Sequence, residues 1–399
     1  MAHKDQVAIM AFLSPCCPTN QDTLAPEMEM SAKFPPQAEK AEIRRVVSSR
    51  LVPCGFFSDL AGELPMSRYL IFFIPLVAIT TSCSTVHFYS QAVGGQYEIL
   101  AKSRPNKEVL ADPESAPLLR RQIEAVEKIR QYAGEYLLLP GGESYGRYAD
   151  LGRKHVVWVL YAAPEFSLEP KTWFYPAVGE LDYRGYFREK DTVELASRLR
   201  GERYDVLVDG VDAYSTLGWF HDPVLNTFVD YPDIDLAETI FHELTHRKVF
   251  RRGDTVFNES LANVVAAEGV KRWLKHQGRV KELRHYEDRL VRRREFYHEI
   301  EKAKVTLREL YASAKPADQM RVEKEAVLRN LQDQFRELRR QWGGRGLESW
   351  LEGELNNGHL VSVDLYNRQM PVFQKLLTDC GGDLNLFFKK AAKLSVPEQ

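Results

Sequence analysis

Residues 239–250 of the 399-residue chain read TIFHELTHRKVF, two histidines four positions apart with a glutamate directly after the first. Residues four apart on a helix share a face with about 5–6 Å between Cβ atoms, so His242 and His246 can direct both imidazoles at one ion. Glu243 then stands beside any water the ion holds. A divalent zinc brings the pKa of such a water toward neutrality, and the carboxylate can take its proton as it attacks a carbonyl. The ligands must be histidine and carboxylate. Of the five cysteines (Cys16, Cys17, Cys54, Cys83, Cys380), only Cys380 falls inside the expected fold, too few for a disulfide framework or a cysteine-rich zinc cluster.

Two glutamates compete to be the third ligand. Thirteen residues after His246 comes FNESLANVVAAEG, with Glu259 near the start of an apolar helix and Glu268 nine positions further on. Nine residues make two and a half turns, so the two carboxylates point to opposite sides and cannot both face the ion. A short connection from His246 brings the first turn of the second helix back to the motif, which favours Glu259.

These residues need a scaffold. Leu236, Ile240, Leu244 and Val249 form an apolar stripe on a helix expected over 233–250, entered through YPDIDLAE with Asp233 and Asp235 as caps; a second helix is expected over 258–275. Upstream, Leu118, Leu119, Ile123, Val126 and Ile129 keep helical spacing within 109–135 after an Asp-Pro start. The runs HVVWVLYAAPEF (155–166) and YDVLVDGVDAYS (204–215) read as strands, and TWFYPAVGELDYRGYF (172–187) is aromatic and glycine-bearing. Downstream, 279–342 is dense in charge, with Leu328, Leu331, Phe335, Leu338 and Trp342 in heptad-like spacing and a proline turn in SAKPADQ, which predicts an antiparallel helical hairpin. From Leu347 to Ser395 helical spacing resumes. The expected fold class is α+β, mainly helical: a zincin-like metallopeptidase domain (83–278) with a small sheet, a charged helical hairpin (279–342) and a helical C-terminal part (343–399).

Charge excludes one class of partner. Lys and Arg total 54 against 56 for Asp and Glu, so there is no cationic excess to neutralise phosphates, and no nucleic acid is expected. From Met66 the chain reads MSRYLIFFIPLVAITTSCSTVHF: one arginine, an apolar run from Tyr69 to Ile79, then small residues ending at Cys83. This is the layout of a signal peptide over 66–82. The stretch ITTSC resembles a bacterial lipoprotein signal, which implies a lipid anchor at Cys83 and an extracytoplasmic face. Residues 1–65, with no sustained period, are expected to be an extension outside the fold.

Two resemblances add to this reading. Asn258-Glu259 resembles the Asn-Glu of thermolysin-like zinc peptidases, the gluzincins, although the spacing from the histidines is shorter than that group shows; it implies Glu259 as third zinc ligand, with Glu268 the rival. The stretches AAPEFSLEPKTW (162–173), VGELDYRGYF (178–187), AYSTLGWFHDPVL (213–225), HELTHRKVF (242–250), FNESLA (257–262) and NNGHL (356–360) together resemble the bacterial "Putative aminopeptidase" family of predicted lipoproteins, over nearly all of the chain from Cys83 onward. That resemblance implies a zinc-dependent peptidase acting on peptides and removing N-terminal residues. It implies an acidic partner for the substrate amine, for which Glu180 and Asp182 are candidates, and a Tyr or His oxyanion donor, for which Tyr214 leads, ahead of Tyr183, Tyr186 and His221. The competing readings are an endopeptidase with the same site, and a non-catalytic envelope lipoprotein that docks partners through its hairpin. NNGHL reads as a helix terminus in preference to a substrate contact.

Overall fold

A computed structural model describes residues 7–9 and 83–394, apart from 177–178, 217–219 and 368. The expected signal segment and the extension before it lie outside the described residues, save for Val7–Ile9, which pairs in parallel with Ala213–Ser215. The chain from Val86 onward belongs to one compact unit.

The described residues are 61% helical with few strands. β1 (Val157–Pro164) is central, flanked antiparallel by β2 (Arg184–Tyr186) and β3 (Tyr204–Val211), with Leu160 opposite Arg184 on one side and Val208 on the other. Val157, Val159, Leu160 and Tyr161 are all buried, because this middle strand is covered on both faces and can be almost wholly apolar. β4 (Ala213–Ser215) follows β3 after one residue and leads toward the motif.

α1 (Cys83–Lys102) packs Phe88, Ala92 and Ile99 into the core. At Gly95 a Cβ would lie 2.1 Å from the Phe187 ring, so only glycine permits this approach. The expected helix of 109–135 is split: residues 106–111 form a short helix, and α2 (Pro117–Leu137) starts with Pro117 in its first turn. Asp112-Pro113 is thus a connection and not a helix start, since a proline is tolerated at the first helical position but not inside the element. Ile123, Val126 and Ile129 face the core as expected, while Leu118 is 58% exposed. α3 (Glu189–Gly201) connects β2 to β3.

The motif lies on α4 (Asp233–Lys248), followed by α5 (Thr255–His276). α6 (Val280–Tyr311) and α7 (Ala317–Gln341) form the hairpin, with Leu328, Leu331 and Phe335 buried against Phe296, Ile300 and Leu307. It is not a free arm. At its base Arg279 bonds Asp233, Arg289 bonds Asp235 and Glu238, and Arg293 bonds Glu238 at 3.0 Å. Near its tip Lys324 donates to Asp205 at 2.5 Å and Arg321 forks onto Glu165. Asp233 and Asp235 therefore make no helix-capping bond. The long-range arginines take their oxygens instead, while both carboxylates still sit favourably at the positive end of the helix dipole.

α8 (Asn357–Asn367), α9 (Met370–Asp379) and α10 (Leu384–Ala391) close the fold. NNGHL opens α8. Asn357 Nδ2 donates to the carbonyls of Pro164, Glu165 and Ser167, and a Cβ on Gly358 would lie 2.6 Å from Leu207 N, so the helix start is riveted to the sheet.

Candidate metal centre

α4 is buried along its middle: every residue from Leu236 to His246 is buried. The expected stripe of Leu236, Ile240 and Leu244 is only part of this, because α2, α5 and β4 pack against the helix and Tyr286, Arg289 and Arg293 of α6 bond its Asp235 and Glu238. A helix covered on several sides can hold His and Glu away from water only if each is paired or has a ligand.

α5 explains how a short connection suffices. Residues 249–254 make the turn; Asp254 caps α5 by accepting from Phe257 N at 3.0 Å. Asn258 clamps the turn from both sides, accepting from Arg251 N and donating to Arg251 O, each at 2.7 Å. α5 thus begins at Thr255, one turn earlier than expected, and the turn that carries Glu259 lies against the histidines.

Three ligand atoms converge. His242 Nε2 stands 3.1 Å from Glu259 Oε2 and 3.1 Å from His246 Nε2, and His246 Nε2 is 3.7 Å from Glu259 Oε1. Two atoms each about 2.0–2.1 Å from a tetrahedral ion stand roughly 3.3–3.4 Å apart, so the triangle has the size of three zinc ligands. The chemistry of the donor set fits as well. Glu259 Oε1 and His246 Nδ1 are buried without a hydrogen-bond partner among the described residues, a costly state that a cation at the centre of the triangle relieves for the carboxylate. His242, His246 and Glu259 are grouped in this way, and all three are buried.

The other ring nitrogen of His242 is also held: Nδ1 lies 3.0 Å from Asn263 Oδ1. An Nδ1–H donated to that amide oxygen leaves Nε2 with its lone pair directed at the triangle. Asn263 lies four residues after Glu259, so one face of α5 contacts both nitrogens of His242. Glu268 is elsewhere, bonded to Lys271 at 2.6 Å and Arg272 at 2.8 Å. Burial pushes its carboxyl up, but these two cations outweigh it and hold it below the ordinary value.

Glu243 is 1% exposed, with the Ser215 hydroxyl as the group placed to bond it. Burial pushes it up to about 8; His242 opposes the rise, while Glu259 and Asp222 add to it and Ser215 lowers it. A divalent cation in the triangle would favour the ionised form again. Ser215 donates to Asp222 Oδ2 at 3.3 Å, and Thr216 donates to Asp222 through Oγ1 at 2.7 Å and through its backbone. Burial pushes Asp222 up to about 6 against those bonds and the charge of Arg247.

Tyr145 lies close to this cluster, within reach of the charges of Glu243 and Asp222. Burial raises its hydroxyl pKa well above the usual value, and the charges of Glu243 and Asp222 add to that, so it keeps its proton. Its φ of 57° lies in the left-handed region that favours glycine and costs on the order of 1–3 kcal/mol. The loop that holds it is clamped throughout: Tyr145 N donates to Asp222 O at 2.7 Å, Asn106 donates to Tyr145 O at 2.7 Å, and Arg130 donates to Ser144 O at 2.7 Å. Arg247, next to His246, donates to Ser144 Oγ.

Tyr214, expected as oxyanion donor, has another task. Its hydroxyl donates to Gln96 Oε1 of α1 at 2.8 Å, and its ring meets Phe187 edge-on. Successive residues of a strand point to opposite faces, so in β4 it is Ser215 that turns toward Glu243. Tyr183 packs on Tyr161 and Tyr186 on Phe88. His221 and Glu180 are exposed. The residues that sequence reasoning missed are Tyr145, Ser215, Asp222 and Asn263; only Asn263, at helical spacing from Glu259, carried a local signal.

Residues 87–399 match the model of a family described as "Putative aminopeptidase". No curated protein and no solved structure matches the chain.

Proposed function

The chain belongs to the "Putative aminopeptidase" family, a family named for peptidases, and from that premise we propose that it is a zinc-dependent peptidase with Glu243 as general base, acting as an aminopeptidase. The observation that carries this reading is the buried triangle of His242, His246 and Glu259 with the buried carboxylate of Glu243 beside it. Those three residues would hold the zinc, which when bound supplies Lewis acidity and makes water a nucleophile near neutral pH.

The chain's own residues do the rest. Glu243 accepts the proton of the attacking water and returns it to the leaving amine. Asn263 keeps His242 in the ligating tautomer. Tyr145, a protonated hydroxyl close to the same cluster, replaces Tyr214 as donor to the oxyanion that develops on the scissile carbonyl. Glu180 and Asp182 are the candidate partners of the substrate's α-amine. Three protein ligands leave a position open for chemistry, where a structural zinc would be closed by four. The docking-arm alternative draws no support from a hairpin bonded to the body near both ends.

The test is a mixed peptide library incubated with the purified protein, with and without chelator, and with Glu243→Gln in parallel. Chelator-sensitive release of N-terminal residues, lost in Glu243→Gln and on acetylated peptides, is the expected result. Internal cleavage that tolerates acetylation replaces the aminopeptidase with an endopeptidase. Cleavage undiminished in Glu243→Gln refutes the mechanism.

The lipoprotein-like ITTSC supports a second part of the proposal, a lipid anchor at Cys83 that tethers the enzyme to a bacterial membrane on its extracytoplasmic side. No helix among the described residues is long and apolar enough to cross a membrane.

A further inference from the structure

α1 has two faces of unlike chemistry. Its inner face is built into the protein: Phe88, Ala92 and Ile99 are in the core, Gln91 accepts from Phe187 N at 2.8 Å, and Gln96 accepts from the Tyr214 hydroxyl. Its outer face, from Val86 to Ala101, exposes Val86, His87, Ser90, Val93, Gly94, Tyr97, Leu100 and Ala101. None of these is Lys, Arg, Asp or Glu, in a chain that is 28% charged. Val86, Val93, Tyr97 and Leu100 are 58%, 59%, 72% and 40% exposed and, at spacings of seven, four and three, they form one stripe. A helix face turned to water would be expected to carry charge; a stripe of this kind needs a cover.

The chain before α1 identifies the cover. The apolar run from Tyr69 to Ile79 ends four residues before Cys83, the first residue of α1. With Cys83 lipidated, as the anchoring reading has it, the chain enters α1 at a lipid surface. The inner face is fixed by the core, so α1 cannot turn its apolar stripe elsewhere. Resting on the anchoring reading above, we propose that α1 lies in the headgroup region of the bilayer, with Val86, Val93 and Leu100 among the acyl chains and Tyr97 at the interface, where a ring with one polar end is favoured. Tyr214 then stands about one helix diameter, roughly 10–12 Å, from the lipid. Its neighbour Ser215 borders Glu243. The substrates best served by this placement are peptides held at the membrane surface.

The test places the photoreactive residue p-benzoylphenylalanine at Val93 or Tyr97 of the full chain, both exposed, with Val322 on the hairpin (64% exposed) as control. Membranes are separated, irradiated, and the adducts read by mass spectrometry. Phospholipid adducts at 93 and 97, absent at 322, are expected. A chain that sediments with membranes yet gives adducts to protein at 93 and 97, or none, overturns the placement of α1 and leaves the anchor standing. A chain that does not sediment overturns both. In a second measurement, Val93→Glu/Tyr97→Glu in a Cys83→Ala background should bind vesicles of phosphatidylethanolamine and phosphatidylglycerol at least tenfold more weakly than Cys83→Ala alone. Equal binding also overturns the proposal.

Discussion

Replacing Asn263 with leucine tests whether the triangle is a metal site and whether α5 organises it. The substitution removes the oxygen 3.0 Å from His242 Nδ1 and leaves all three ligands in place. A hydrogen bond of this kind contributes about 0.5–1.5 kcal/mol net, but here it also selects the tautomer that frees Nε2. Losing such a partner of a ligating histidine typically weakens metal binding 10–100-fold, which is about 1.4–2.7 kcal/mol. Glu259→Ala should weaken binding further, because it removes an anionic ligand itself. Glu268→Ala should leave binding unchanged, since that carboxylate serves Lys271 and Arg272. The assay is competition for zinc against a chromophoric chelator at fixed pH, with the thermal midpoint of each metal-free variant as a check on folding. Wild-type affinity in Asn263→Leu refutes the tautomer argument, and a larger loss in Glu268→Ala than in Glu259→Ala refutes the ligand set.

Tyr145→Phe should retain zinc and lower kcat by about 10²–10³-fold, the usual loss for one oxyanion donor; steady-state kinetics showing less than a threefold change would return the role to another residue. Glu238→Gln should cost about 3 kcal/mol of stability at neutral pH, because it breaks a buried ion network with Arg289 and Arg293. Burial pushes the Glu238 carboxyl up, but those arginines outweigh it and hold the folded-state pKa below 4.5. Its stabilisation is therefore complete above that value and lost as pH falls through the lowered one, so denaturant melts of wild type and variant should converge on acidification; a gap that widens would contradict the sign. Gly358→Ala sets a Cβ 2.6 Å from Leu207 N and should lower stability by about 1–3 kcal/mol, read as a drop in urea midpoint.

The site was legible where its signal was local. His242 and His246 share a helix face by spacing alone; nine residues of helix turn Glu259 and Glu268 apart, and the short connection from His246 favours the one in the first turn, Glu259. What escaped depends on contacts between distant segments. Asp233 and Asp235 look like caps until Arg279 and Arg289, 46 and 54 residues away, reach them. Tyr214 and Tyr145 are both tyrosines in plausible loops, and nothing in a period says that the first meets Gln96 while the second is folded beside Glu243. The sheet was read from its apolar runs, and the helical hairpin from its heptads. That the hairpin is tied down was hidden, since pairing partners cannot be inferred from a stretch of mixed charge.

The hairpin's attachment has a consequence for modularity. α6 is 32 residues long, about 48 Å at 1.5 Å per residue, and it touches the body near both ends: Asp233, Asp235 and Glu238 at one, Glu165 and Asp205, through α7, at the other. A segment joined through a single hinge can be lost, swapped or cut free without consequence for the rest. This one behaves as a brace: removing it would take away Tyr286, Arg289 and Arg293, the partners of Glu238 one turn from His242, and open the side of the motif helix they cover. A chain shortened by the brace would have to rebuild the packing of the motif helix itself, so hairpin and motif helix stand as one unit.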